Sequence, residues 1–392
     1  MDAPHLRTAR RTHGFTESVI REMTRVAREH HAVNLAQGFP DFPAPTLLKE
    51  AACKAVMDDV NQYAITWGSA PLRDALERKY RDWYGMEVDG AREITVTCGA
   101  TEAMVAVMLS VVDPGDEVIV LEPFYENYGP DAILSDARPV FLTLEAPEYR
   151  LDPDRLRSLV TPRTRAIVLN TPNNPTGRVF DAEELEAVAD VCRTHGILAI
   201  TDEIYEHILY EGRHVCLATL EGMRERTIVV SGVSKTFSVT GWRIGTIVAP
   251  PPLTAAIRKV HDFLTVGAPA PFQDACAYGM DHLGRDYYEG MIADYRARRE
   301  VLVAALQDAG FGCRAPQGAY YVLTDFSALS DEDDTPFAKR LAREGGVASV
   351  PGSSFFSKPE RGRSLVRFAF CKRLETLEEA AHKLRAFAGR GG

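Results

Sequence analysis

Between residues 94 and 249 the chain repeats one pattern: a short apolar run, a turn, then a segment of helical length. Ile94–Thr97, Glu117–Leu121, Pro139–Leu144, Ala166–Leu169, Leu198–Tyr205, Thr227–Val230 and Ile244–Ala249 read as strands. Residues 103–112, 151–160 and 181–194 read as helices between them, and Glu122–Tyr125 as the start of another. Runs this short, apolar throughout and bounded by turn residues suit strands buried on both faces. Helices of ten to fifteen residues between them suit parallel crossovers. The expected fold is therefore α/β, a mainly parallel sheet covered by helices on both faces.

The remainder fits around that sheet. A helix is expected from an N-cap at Thr16 to about Glu29, with Phe15 and Ile20 as a hydrophobic staple. Helices follow over 47–58, 71–84, 252–264 and 286–309. The last third offers strands at Gly318–Leu323, Val347–Gly352 and Leu365–Phe370 with helices at 336–343 and 374–387, a smaller α+β lobe. With 392 residues, two domains are expected. The large one spans 46–285, and the small one is built from 1–45 and 286–392.

Bulk properties exclude several classes. A formal net charge of −10 argues against a nucleic-acid-binding surface. No stretch is apolar enough to span a bilayer, and no apolar segment follows the N-terminal arginines, so a cytoplasmic protein is expected. Seven scattered cysteines without a C-x-x-C pair read as reduced thiols. Neither they nor the histidines cluster at ligand spacing, so no metal site is expected, and His30-His31 reads as a solvated helix end.

The chemistry concentrates at strand ends, where open α/β sheets bind ligands. Lys235 follows the strand Thr227–Val230, and Arg243 lies eight positions on, just before the next apolar run. A lysine at the mouth of a buried sheet can form a Schiff base with a carbonyl cofactor, and an arginine beside it can clamp a phosphate. That pairing suits pyridoxal 5′-phosphate (PLP). The other needs of PLP have candidates at strand ends too. They are turn amides at Gly99, Ala100 and Thr101, a carboxylate at Asp202 for the ring nitrogen, and neutral donors Asn174 and Tyr205 for the ring oxygen. Tyr125 offers an aromatic face. Arg367 on an apolar strand would be buried and would need an anion.

The segments Gln37-Gly-Phe-Pro-Asp41, Asn170-Thr-Pro-Asn-Asn-Pro-Thr-Gly177, Asp202-Glu-Ile-Tyr205 and Ser234-Lys235 with Gly241-Trp-Arg243 resemble those of the class I/II aminotransferases, PLP enzymes of fold type I. The loop at Gln37–Phe42, Asn61-Gln-Tyr63 and Val366-Arg-Phe368 resemble the kynurenine–glutamine–methionine aminotransferase branch. The resemblance covers nearly the whole chain and implies a seven-stranded sheet and a homodimer. It implies that Lys235 carries the cofactor and moves the proton between the substrate's Cα and the cofactor. Asp202 would hold the ring nitrogen, Tyr205 and Asn174 the ring oxygen, and Tyr125 would stack on the ring. Ala100, Thr101, Ser234 and Arg243 would form the phosphate cup, with Tyr63 reaching it from the other subunit. Arg367 would take the substrate's α-carboxylate, helped by Asn174 and the Gly38 amide.

Two departures from the family pattern stand out. Many relatives have serine three residues before the lysine, where this chain has Gly232, so Ser231 or Ser234 would supply the hydroxyl. A tryptophan that kynurenine-preferring members often carry near Ile20 is absent. The expected reaction is ping-pong transamination between a neutral L-amino acid, such as methionine, glutamine or an aromatic one, and a 2-oxo acid. The alternatives are a β-lyase of the cysteine-S-conjugate type, or a specialised biosynthetic PLP enzyme on the same fold. Phe15, Ile20, Trp67 and Ser353–Phe356 are the expected side-chain pocket.

Overall fold

The apolar runs assemble into one seven-stranded sheet in the computed structural model, which describes residues 8–389. In chain order the strands are β1 (Val33–Asn34), β2 (Ile94–Thr97), β3 (Glu117–Glu122), β4 (Arg138–Thr143), β5 (Thr164–Asn170), β6 (Leu198–Asp202), β7 (Thr227–Gly232), β8 (Gly245–Val248), β9 (Tyr321–Asp325), β10 (Val347–Ala348), β11 (Val350–Pro351) and β12 (Leu365–Ala369). The large sheet has the order β2-β8-β7-β6-β5-β3-β4. All neighbours are parallel except those of β8, which runs antiparallel to both β2 and β7.

The side-chain period of two sorts each strand onto two cores. Val118 and Val120 of β3, Ala166 and Val168 of β5, and Leu198 and Ile200 of β6 join one cluster with the helix Ala100–Val111 and Ile257. The residues between them, Ile119, Leu121, Ile167, Leu169 and Ala199, join another with Leu185, Val188 and Cys192 of the helix Ala182–His195. A buried aliphatic side chain stabilises by roughly 1.5–3 kcal/mol, so both faces are committed to helices. The helix Ala182–His195 is closed at its start by a capping box between Asp181 and Glu184, and at its end by Gly196 in the left-handed region.

A three-stranded antiparallel sheet, β11-β12-β9, and the parallel pair β1-β10 make up the remaining strands. They share a core with Leu302 and Leu306 of the 24-residue helix Arg285–Asp308, and with Leu377 and Leu384 of the helix Leu374–Ala388.

Several local expectations shift. The first helix is Val19–Glu29, capped by Ser18 through the Arg21 amide and not by Thr16. Glu122–Tyr125 is not helical, and the helix there begins at Tyr128. The strand expected to reach Tyr205 stops at Asp202, which leaves Tyr205 in the following turn. A helix at Ala270–His282 has weak signals in sequence, with Pro269 and Pro271 at its start and Gly279 inside it. Packing creates it: a Cβ at Gly279 would sit 2.4 Å from Leu48, so the glycine lets this helix press against Thr46–Met57.

Register fixes where the functional ends meet. Asn170 pairs with Asp202, Asp202 with Val230, Gly232 with Gly245, and Gly245 with Thr97. Because β8 is reversed, its start lies at the same sheet edge as the C-terminal ends of β2, β5, β6 and β7.

Candidate active site

That edge collects most of the candidate residues. Lys235 stands in the turn after β7, and its partly buried Nζ donates to the Gly38 carbonyl at 3.4 Å. It lies 5.9 Å from the Tyr205 ring and 5.8 Å from the Tyr320 ring. Burial pulls the amine down to about 8, with Arg243 and Arg367 adding to that shift against the nearby Cys371 and Asp202. A lysine held there spends a useful fraction of its time as the neutral, nucleophilic amine near neutral pH.

Asp202 ends β6 and is buried. Burial raises its pKa, while Tyr128, the Ile204 amide and the Lys235 charge act to lower it. Tyr128 donates its hydroxyl to Asp202 Oδ2 at 2.6 Å, and Tyr125 meets the Tyr128 ring edge-on at 5.8 Å. A second carboxyl, Asp131, lies one helical turn beyond Tyr128, with 3% of its surface exposed. Its Oδ2 has no hydrogen-bond partner, and burial followed by the Asp202 charge pushes it up to about 8. Asp131 thus keeps its proton at neutral pH, while Tyr128, the Ile204 amide and the Lys235 charge favour the ionised form of Asp202 against its burial.

Arg367 projects from β12 with 0% exposure. Its Nη1 donates to Asn174 Oδ1 at 2.7 Å and its Nη2 to the Ala36 carbonyl at 2.6 Å. The guanidinium lies 4.3 Å from the Tyr321 ring centre and 5.1 Å from that of Phe355. Its Nε has no partner, and it makes no salt bridge among the described residues. A buried cation bound only by neutral oxygens is set to take an anion. The loop around Gly38 is fixed from the far side by Lys372, which donates to Gln37 and Phe39 carbonyls at 3.3 and 2.7 Å. Tyr320 also donates to the Gly38 carbonyl, at 2.9 Å.

At the other end of Lys235, Gly99 ends the turn after β2 with φ +83° and opens the helix Ala100–Val111. The amides of Ala100 and Thr101 fall in its first turn, where no intrahelical acceptor exists. A Cβ on Gly99 would lie 2.1 Å from Arg243 Nη2, so glycine there admits the guanidinium to the helix start. Arg243 itself takes a left-handed φ of 57° and donates to the Thr240 and Cys98 carbonyls at 3.0 and 3.3 Å. It is solvent-exposed, and Ser234 is buried in the adjoining turn.

One expectation about hydroxyls changes. Ser231 points away from this cup: it is fully buried and donates to Glu206, so it supplies no hydroxyl here. Serine at 232 has no room either, because a Cβ there would meet the Ile244 carbonyl oxygen at 2.8 Å. Tyr63, expected to act from a second subunit, is 87% exposed. The Trp67 ring packs 4.9 Å from Arg258, whose guanidinium holds the Ala91 and Ile94 carbonyls at the start of β2, the end remote from Gly99.

Behind the edge lies a second polar cluster. Glu206 accepts from Lys79 at 2.5 Å, from Tyr84 and from Ser231. Glu203 accepts from Thr201 at 2.9 Å and pairs with His214 at 2.6 Å. Burial pushes Glu206 up, but Lys79, His207 and His214 outweigh it and hold the carboxyl at about 2.

The fit to PLP can be judged on these groups. A phosphate dianion finds free helix amides and an arginine with no carboxylate partner among the described residues. A pyridinium finds a buried carboxylate, an aldehyde finds a lysine of depressed pKa, and a substrate carboxylate finds the unpaired Arg367. The residues fit. Tyr128, Tyr320, Tyr321 and Lys372 also belong to the site and were not singled out from sequence. Only the tyrosine pair beside Gly318 carried a local hint.

Residues 30–384 match the family model described as aminotransferase class I and II. A methionine aminotransferase of Escherichia coli is 38% identical, over 94% of this chain and 95% of its own length. The human kynurenine–oxoglutarate transaminase 1 is 36% identical, over 96% of this chain and 97% of its own. A solved N-succinyldiaminopimelate aminotransferase from Mycobacterium tuberculosis superposes with a TM-score of 0.94 at 40% identity, covering 97% of this chain and all of that one.

Proposed function

The chain belongs to the class I and II aminotransferases, PLP-dependent enzymes that move an amino group between an amino acid and a 2-oxo acid, and from that premise we propose that its donor is an L-amino acid with a neutral side chain. The methionine and kynurenine transaminases among its relatives support that class. We propose the residue roles with it. Arg367 takes the α-carboxylate as a bidentate pair, with Asn174 Oδ1 fixing the guanidinium plane and the Gly38 amide as a further donor. PLP, when bound, supplies a protonated ring that accepts the electrons left when the substrate's Cα–H bond breaks. Lys235 takes that proton and returns it one position away. Its depressed pKa makes it both a ready nucleophile and a ready base. Asp202 keeps the ring nitrogen protonated, and Tyr128 keeps Asp202 in place. Tyr205 and Asn174 donate to the ring oxygen, and Tyr125 covers the ring face. Gly99, Ala100, Thr101, Ser234 and Arg243 hold the phosphate.

The assembly we propose is a homodimer whose partner brings Tyr63 to the phosphate. Tyr63 and Phe263 are 87% and 92% exposed, which suits a face covered by a second copy. We also propose the division into 46–285 and 1–45 with 286–392, and a cytoplasmic location. No helix among the described residues is long and apolar enough to cross a membrane.

The observation that carries the reading is Arg367, a buried cation without an anion, in the same site as a lysine whose amine is half-neutral near pH 8. An amino-donor by oxo-acceptor screen tests it. Neutral donors should turn over in parallel-line, ping-pong kinetics, and acidic donors should fail. Release of pyruvate and ammonia without an acceptor would transfer the assignment to a lyase. Borohydride reduction and peptide mapping should place the pyridoxyl group on Lys235, and an adduct on another lysine would remove the central role assigned here.

A further inference from the structure

Tyr321 stands where the cofactor and carboxylate halves of the site meet. Its hydroxyl is 3.0 Å from that of Tyr205, in a buried pair. Its ring lies under the Arg367 guanidinium. Register pairs Tyr321 with Ala369, so it sits two residues along from Arg367 on the neighbouring strand. Gly38 makes the room: a Cβ there would come within 2.0 Å of the Tyr321 hydroxyl. The loop crossing the site is therefore glycine at the position where a Cβ would meet both the hydroxyl and the ring edge of Tyr321.

We propose that Tyr321 is a positioning residue acting through Tyr205 and Arg367: its hydroxyl donates to the Tyr205 oxygen, and its ring sets the plane of the guanidinium. The first half rests on the reading of Tyr205 as donor to the cofactor's ring oxygen. A phenol has one proton and two lone pairs. If Tyr205 spends its proton on the ring oxygen, the 3.0 Å hydrogen bond to Tyr321 requires Tyr321 to be the donor in that pair. Hydrogen bonds in series polarise one another, so Tyr205 becomes the stronger donor. A better-bonded ring oxygen is less basic, and the lysine-bound cofactor then gives up its proton at lower pH. The titratable and charged groups facing the pair are Arg367, Lys235, Asp202, Tyr125, Tyr320 and Cys371, and all remain when one hydroxyl is removed. The second half follows from stacking: a planar cation over an aromatic face keeps its fork aligned for a carboxylate.

The test compares holoenzymes carrying Tyr321→Phe, Tyr205→Phe and Tyr321→Leu. The readouts are the pH midpoint of the visible absorption change and the KM for the amino acid. Tyr321→Phe should raise the midpoint by about half a unit to one unit, the range one neutral hydrogen bond supports, and Tyr205→Phe should raise it further. A midpoint moved by Tyr205→Phe and unmoved by Tyr321→Phe overturns the proposal and leaves the reading of Tyr205 intact. A midpoint unmoved by Tyr205→Phe removes that reading and the proposal with it. For the ring, Tyr321→Leu should raise KM about tenfold over Tyr321→Phe, and equal KM values would overturn its part. Tyr321→Phe deletes a single oxygen, so a melting curve matching the wild type's shape is the check that the comparison is between folded proteins.

Discussion

One turn, residues 202–206, feeds two buried charged clusters that obey opposite rules. Asp202 and Tyr205 face the active site; Glu203 and Glu206 face the cluster behind it. In the rear cluster both carboxylates have partners: Glu206 pairs with Lys79, Glu203 bonds to His214, and Ser231, Tyr84 and Thr201 fill remaining lone pairs. In the front cluster the cations are left open. Arg367 binds two neutral oxygens and leaves Nε idle, and Lys235 reaches one carbonyl at 3.4 Å. Burial costs a charge several kcal/mol unless a partner repays it. A closed cluster therefore serves the fold, and an open one is waiting for ions from outside.

Substitutions can break or sharpen that contrast. The largest effect is expected at Lys235→Ala, which should slow the half-reaction with an amino acid by about 10³-fold or more, measured in single turnover. A loss of only a few fold would mean that another group moves the proton. Next comes Glu206→Ala in the closed cluster. It strands Lys79 in the interior and should cost about 3–5 kcal/mol in urea denaturation, the cost of halving a buried pair. Arg367→Met should behave in the opposite way: stability equal to or above the wild type's, with kcat/KM for the amino acid lower by about 10²-fold. If Arg367→Met destabilised as much as Glu206→Ala, the front cluster would have to be counted as structural too.

The smallest effect concerns Asp131, the second carboxyl of the front cluster. Its folded pKa, about 8, lies above its unfolded value, so the folded chain binds the proton more tightly. Its penalty is absent below about pH 4, grows as pH rises, and levels off above about 8. Asp131→Asn should therefore gain stability relative to the wild type between pH 5 and 8, by about 1–3 kcal/mol. A difference that stays flat with pH would show that Asp131 is ionised throughout.

How much of this was legible in sequence depends on the distance the information travels. The strands of the large sheet announce themselves within a few residues, because strands buried on both faces are apolar from end to end. Lys235, Arg243 and Asp202 were legible for the same reason, as polar residues placed just where such strands stop. Arg367 was legible because a cation inside Leu365–Ala369 has no solvent to reach. The partners of these residues were not. Tyr128 finds Asp202 across 74 residues, Tyr321 finds Tyr205 across 116, and Lys372 finds Gln37 across 335. No local period encodes a meeting of that kind. Ser231 was a reasonable candidate for the phosphate cup until the strand's facing was known, since neighbouring residues in β7 point to opposite sides and only the assembled sheet says which is which. The helix Ala270–His282 was lost because its glycine and prolines speak against it locally, while its contact with Leu48 decides the matter.

Gly232 carries a consequence of another kind, for how this sequence can change. Its corner is closed on one side by the Ile244 carbonyl oxygen at 2.8 Å and on others by Ile204 and Gly245 at 3.1 and 3.2 Å from any added Cβ. Glycine and serine lie one base change apart in the genetic code, so the substitution arises often, yet here it meets backbone, which cannot swing aside as a side chain can. The substitution alone therefore does not place a serine hydroxyl at this corner. The connection from Ile244 to Gly245 would have to move first, and an engineer who wants the hydroxyl back would do better to look to Ser234 or to redesign that connection.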